Sequence, residues 1–270
     1  MSGSTYVIEI LMSKTALITG SSNGIGYELA KLHAENGDNL VLVARSKDKL
    51  DELKKYLEEK HRVKVYSIEK DLSIPGAARD VFDELKWQSI KVDYLVNNAG
   101  FGDIGFFAES DWNKQEKMIN LNVIALTHLT WLFLPGMIER RNGKIMNVAS
   151  TASFQPGPTM SVYFATKAFV LSFSEAVNNE VCDKGVTVTA LCPGSTESGF
   201  HTIALGDSKQ VKKRKLPSSR EVAEYGYKAM MKGKAVAIPG LKNTLIATSV
   251  RFISRSLAVK AARKIQENKH

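Results

Sequence analysis

Cysteine is scarce in this 270-residue chain: Cys182 and Cys192 are the only two, too few for a disulfide framework. Neither sits in a C-x-x-C or metal-finger spacing, so no metal site is expected. Two reduced core thiols fit a cytoplasmic protein. Apolar runs are short as well; none reaches about 18 uninterrupted residues, so no spanning helix is expected. The N-terminus lacks a basic region followed by a long apolar run, and no secretory signal is expected there. Helix-turn-helix, ribonucleoprotein and zinc-finger signatures are missing, which removes nucleic acid from the expected partners. Linkers, tandem repeats and low-complexity tracts are absent too, leaving one domain over residues 13–240.

What is present suits a globular chain: 44% hydrophobic, 24% charged and 8% aromatic residues, enough for one large α/β domain. Ser13–Thr19 reads as a strand start, so Met12 is a candidate initiator and the residues before it a loose extension. The net charge of +9 is uneven. Residues 201–270 hold 16 basic and 4 acidic residues, whereas residues 1–200 hold 21 basic and 24 acidic ones.

Short β-branched runs alternate with helical stretches. Strands are expected at 15–19, 40–44, 63–67, 93–96, 144–148 and 186–191. Helices are expected at 24–36, from the Lys/Glu-rich stretch to about Lys60, and at 75–87, 111–140 and 163–183. Strands without polar alternation are covered on both faces, and intervening helices force parallel crossovers. The expected fold is therefore a doubly wound parallel sheet of six to seven strands, with helices on both faces.

Three motifs carry chemistry. Thr19-Gly-Ser-Ser-Asn-Gly-Ile-Gly26 lies between the first strand and first helix, where Gly20, Gly24 and Gly26 let backbone approach a pyrophosphate. The second strand ends in Ala44 and continues with Arg45, where an NAD-binding fold would place a carboxylate. A guanidinium there pairs with a 2′-phosphate, which favours NADP(H). The third motif is Tyr163-Phe-Ala-Thr-Lys167, whose phenol and ammonium share a helix face. A nearby cation would lower the phenol pKa and suit it to proton transfer. The same spacing recurs at Tyr27/Lys31, Tyr56/Lys60 and Tyr66/Lys70. Only Tyr163 has a serine thirteen residues upstream, Ser150, beyond a strand end where ligands of open α/β sheets gather.

Together these residues resemble a classical short-chain dehydrogenase/reductase over about residues 13–240. Asp71 before Leu72, Asn97-Asn-Ala-Gly100, Asn122 and Pro193-Gly194 complete the pattern in family order. Within the family the chain is similar to NADP-preferring bacterial reductases and ketoacyl reductases. The resemblance implies catalytic roles for Ser150, Tyr163, Lys167 and Asn122. Tyr163 would exchange the proton, Ser150 would bond the substrate oxygen, and Lys167 would bind the nicotinamide ribose. Asn122 would hold a water linking Lys167 to solvent. It further implies an NADP site from Gly20, Ser22, Asn23, Gly24, Ile25 and Gly26, with Arg45 and Leu72. Asp71 would meet the adenine edge and Asn98 the adenosine ribose, beside Ala99 and Gly100. Tyr163, Lys167, Pro193, Gly194, Thr196 and Ser198 would close the nicotinamide end, Ser198 standing where the family usually has threonine.

The segment 195–216 is expected to be a substrate lid, with Phe200, Ile203, Ala204 and Leu205 apolar and Lys212–Lys215 a basic edge. Phe101, Phe106 and Phe107 would wall the opposite side. Residues 241–270 are expected to form a basic amphipathic helix, with Leu245, Ile246, Val250, Phe252, Ile253, Leu257 and Val259 on one face. That face would pack on the domain or a neighbouring subunit, or rest on an anionic membrane surface. Apolar residues on several faces of the long helix and the Tyr163 helix point to a homodimer or homotetramer. The reading is an NADP(H)-dependent oxidoreductase acting on a small carbonyl or alcohol. Its rivals are a 3-ketoacyl reductase of lipid metabolism, a non-catalytic NADP(H)-binding regulator, and an adaptor acting through the tail.

Overall fold

Strand β1 (Thr15–Thr19) is fully inside a seven-stranded sheet, flanked by β2 (Asn39–Ala44) and β4 (Tyr94–Asn97). The computed structural model describes residues 13–197 and 216–267. Strand order is β3-β2-β1-β4-β5-β6-β7, and every pairing is parallel. The remaining strands are β3 (Val65–Glu69), β5 (Gly143–Val148), β6 (Val186–Leu191) and β7 (Val236–Ala237).

Alternation along the central strands builds two cores. Ala16 and Ile18 of β1 and Leu40 and Leu42 of β2 face one side. There they meet Leu29 of α1 (Gly24–Glu35), Leu53 of α2 (Lys47–His61) and, from a later helix (Ser219–Met231), Met230. Leu17, Val41 and Val43 face the other side. They pack with Val81 of α3 (Ala77–Trp87), with Leu129 and Phe133 of a long helix, and with Val177 of α6 (Ser161–Val181). Each fully buried aliphatic side chain contributes about 1.5–3 kcal/mol of transfer free energy. With both faces covered, the strands need no polar alternation.

The long helix is α4 (Trp112–Ile119) joined to α5 (Leu126–Glu139) by a π-helical turn at Asn120–Ala125. Among the described residues, this 28-residue stretch is the one helix long and apolar enough, by length and composition alone, to cross a membrane. It lies on the sheet, burying Leu126, Leu129, Leu132 and Met137. Helix α7 (Ser219–Met231) was not expected; Ser218 and Glu221 cap it reciprocally.

The C-terminus also differs from expectation. The single helix over 241–270 is two, α8 (Leu241–Ser249) and α9 (Arg255–Glu267), separated by a 3-10 turn at Val250–Phe252. Hydroxyls flank the break on both sides. Thr248 and Ser249 turn theirs back onto Thr244 O and Ile246 O, while Ser254 Oγ accepts from Leu257 N and restarts the helix.

Candidate active site

Sheet order reverses between β1 and β4, and the turns after those strands meet there. Gly20 has φ +66° and Gly24 φ +58°, a region that side chains rarely adopt. Thr19 Oγ1 accepts from the amides of Asn98 and Ala99, both at 3.0 Å. Asn98 Nδ2 donates to Thr19 O at 2.9 Å and Gly20 O at 3.1 Å. Asn98 is expected at the adenosine ribose; in the structure its carboxamide nitrogen clamps the glycine turn. A Cβ on Gly26 would collide with that same nitrogen and with Gly20 O.

The start of α1 suits an anion. Asn23, its N-cap, is exposed and makes no side-chain capping bond, and no acidic residue stands in the first turn. Ser21 Oγ is buried with no hydrogen-bond partner. Free amides and the helix dipole at such a terminus favour a phosphate. Ser22 and Ile25 are half-buried beside it. Arg45 is exposed just past β2. Asp71 is half-buried and one of its oxygens, Oδ1, accepts from Ser73 N and Oγ, while Leu72 packs into the core below.

The candidate catalytic residues come together beyond β5. Ser150 follows the strand by two residues and opens a 3-10 turn, its Oγ accepting from Ala152 N at 3.1 Å. The same hydroxyl lies 3.4 Å from Pro193 O, to which it donates. The phenol of Tyr163, which is 8% exposed, feels the Ser150 hydroxyl, which favours its ionised form. Lys167 is 5% exposed; its Nζ donates to Val148 O at 2.7 Å and stands 5.9 Å from the Tyr163 ring centre. The three side chains converge because β5 ends where α6 begins its second turn, and Ser153 Oγ ties that helix down through Lys167 O.

Burial dominates the protonation of this cluster. It pushes the Tyr163 phenol up to about 12, against the lowering effect of Ser150. It brings the Lys167 ammonium down to about 8. The expected lowering of the phenol by Lys167 is therefore overturned by desolvation. Asn122 is tied into the protein by its carboxamide. Its Nδ2 donates to Phe101 O and Thr166 Oγ1, and its Oδ1 accepts from Phe101 N. Committed to protein partners at both ends, the carboxamide positions the Phe101 loop against the Tyr163 helix.

Gly100 lies beside Asn122 and Lys167. Thr196 is buried and donates to Gly194 O, and Gly194 abuts Asn243 of α8. Ser198 and most of the lid lie outside the described residues, Phe200 and Lys212–Lys215 included. Of the expected phenylalanine wall, Phe101 packs with Met118, Met160 and Phe164 around Tyr163. Phe106 and Phe107 are exposed. Sequence reasoning assigned no role to Thr19 or Ser153, although Thr19 opens the glycine motif. Of the other Tyr/Lys spacings, two make local pairs, Lys31 over the Tyr27 ring and Lys60 donating to Tyr56 OH, while Tyr66 donates to Glu84 and Lys70 to Asp80.

A doubly wound parallel sheet with a Ser-Tyr-Lys cluster beyond its strand ends defines a class of α/β oxidoreductase. The chain belongs to the short chain dehydrogenase family, whose sequence profile matches residues 14–205. It is 37% identical over 188 residues to the very-long-chain 3-oxoacyl-CoA reductase of Homo sapiens, covering 67% of this chain. The match spans 59% of that relative's length. A short-chain dehydrogenase from Sphingobium yanoikuyae in complex with NADPH superposes with TM-score 0.80 at 33% identity, over 87% of this chain and 92% of that one. A bulky-bulky ketone specific alcohol dehydrogenase from Comamonas testosteroni gives 0.76 at 30% identity, over 88% and 92%.

Proposed function

We propose that this chain is an NADP(H)-dependent oxidoreductase that interconverts a carbonyl and an alcohol. The observation that carries the reading is the gathering of buried Tyr163 and Lys167, the ammonium 5.9 Å from the phenol ring centre, with Ser150 just past the C-terminal edge of β5. Gly20 and the α1 amides would hold the pyrophosphate, Arg45 the 2′-phosphate, and Asp71 with Leu72 the adenine end. Ala99, Gly100, Lys167, Pro193, Gly194 and Thr196 would enclose the nicotinamide end. Bound there, the dinucleotide supplies or accepts the hydride.

The chain's own groups handle the oxygen. With its pKa near 12, the Tyr163 phenol is protonated at neutral pH and donates its proton as the carbonyl oxygen gains charge. The Ser150 hydroxyl, set by the Ala152 amide, donates a hydrogen bond to the same oxygen. The Lys167 ammonium, anchored on Val148 O, stabilises negative charge left on the phenol. This resting state is poised for carbonyl reduction. Alcohol oxidation needs the phenolate first, which burial opposes.

A 3-oxoacyl thioester is the favoured substrate class. The human relative is named for such a reaction, which supports this class. A non-catalytic NADP(H)-binding regulator would not need the assembled cluster. Exposed Ile124 and Trp131 on the long helix and Phe169 on α6 support pairing through these helices into a homodimer or homotetramer. The test is NADPH oxidation across aldehydes, ketones and 3-oxoacyl thioesters. Turnover of at least one class is expected; none, with NADPH bound, would favour the regulator.

A further inference from the structure

The two C-terminal helices carry their large apolar side chains outward. Leu241 is 86% exposed, Leu245 71% and Phe252 84%, with Ile246, Ile253 and Leu257 also open to solvent. The residues that α8 and α9 turn inward are small: Ala247, Ala258 and Ala262 are buried. A helix pair that served only to cover the domain would show the reverse arrangement.

Charge separates the possible occupants of this face. Residues 241–264 contain six basic residues and no acidic one. Lys242, Arg251, Arg255 and Lys260 are exposed and alternate along the sequence with the apolar residues, and none forms an ion pair among the described residues. A second copy of the chain would bring two cationic faces together with no carboxylate between them. Apolar residues alternating with Lys and Arg along short helices match the boundary of an anionic bilayer, where headgroups meet the cations and acyl chains take the apolar groups.

We infer that α8 and α9 form a docking surface for an anionic lipid membrane. The surface adjoins the proposed active site, since Asn243 of α8 lies against Gly194. The protein would thereby rest on the bilayer with the Pro193–Gly194 side of its site next to the lipid, a placement suited to a substrate with an apolar tail.

Flotation of the full chain with vesicles tests this. Vesicles of phosphatidylcholine alone are compared with vesicles containing about a third phosphatidylglycerol, at about 0.1 M and 1 M salt. Wild type floats with the anionic vesicles only, and high salt weakens the association. Leu245→Ser and Phe252→Ser each reduce partitioning about tenfold. Arg251→Gln and Arg255→Gln each reduce it about fivefold. All four variants keep the wild-type circular dichroism and melting temperature, because the altered side chains are exposed. No flotation, or equal flotation on neutral vesicles, would overturn the inference. So would a Leu245→Ser variant that splits an oligomer without wild type binding vesicles, which makes the face a subunit interface. Retention on polyglutamate resin without flotation would make it a surface for an acidic protein and overturn the inference equally.

Discussion

The Asn98 carboxamide nitrogen donates to Gly20 O, fastening the turn after β1 to the turn after β4. Thr19 O shares the same donor, so one side chain holds two carbonyls in the glycine turn. Gly26 leaves room for that nitrogen only by lacking a Cβ. Asn98→Ala removes both bonds and should cost about 1–3 kcal/mol. Gly26→Ala overpacks the same point and should cost a similar ~1–3 kcal/mol. Urea denaturation of both single variants and the double variant measures the coupling. Strict additivity would show that the two residues do not share one constraint.

Lys167 makes stability depend on pH. Its folded pKa of about 8 lies below the ordinary 10.5. Below about pH 8 the cost of the buried ammonium is fully present. Between there and 10.5 the unfolded chain binds a proton that the folded chain has released, so stability rises with pH. Wild type should gain on the order of 3 kcal/mol relative to Lys167→Met across that window. Urea midpoints at about pH 7.5 and pH 10 check the sign. A gap between the two proteins that stays constant with pH would show that the ammonium is not desolvated.

Arg45 stands exposed where a carboxylate would select NAD(H). Arg45→Glu should lower kcat/KM for NADPH by about ten- to a hundredfold, the loss of a charge-assisted phosphate contact, while NADH is spared. Steady-state kinetics with both coenzymes reads the difference. Equal losses for both would remove Arg45 from coenzyme choice.

Much of this architecture is legible from residue order because strands covered on both faces read as plain apolar runs. β1, β2, β5 and β6 fall within one residue of their expected bounds. β3 begins at Val65 rather than Val63: Val63 is buried ahead of the strand, and burial alone does not reveal pairing. β7 is two residues long and leaves no periodic signal. α7 was missed although its Ser218-x-x-Glu221 capping box is written in the sequence. The π-turn at Asn120–Ala125 has no composition of its own. At the site, Ser150, Tyr163 and Lys167 were recognisable by spacing and strand context. The commitments of Asn98 and Asn122 were not, because which atoms an amide bonds is decided by tertiary neighbours. The buried Asn97–Asn147–Ser174 chain of hydrogen bonds was hidden for the same reason.

The most direct measurement is NADPH consumption by Tyr163→Phe with the best carbonyl substrate, beside NADPH affinity measured by fluorescence. Removal of the proton donor should lower kcat about 10²–10⁴-fold while the affinity stays within about threefold of wild type. Undiminished turnover by the phenylalanine variant would contradict proton donation from Tyr163 and the mechanism built on it.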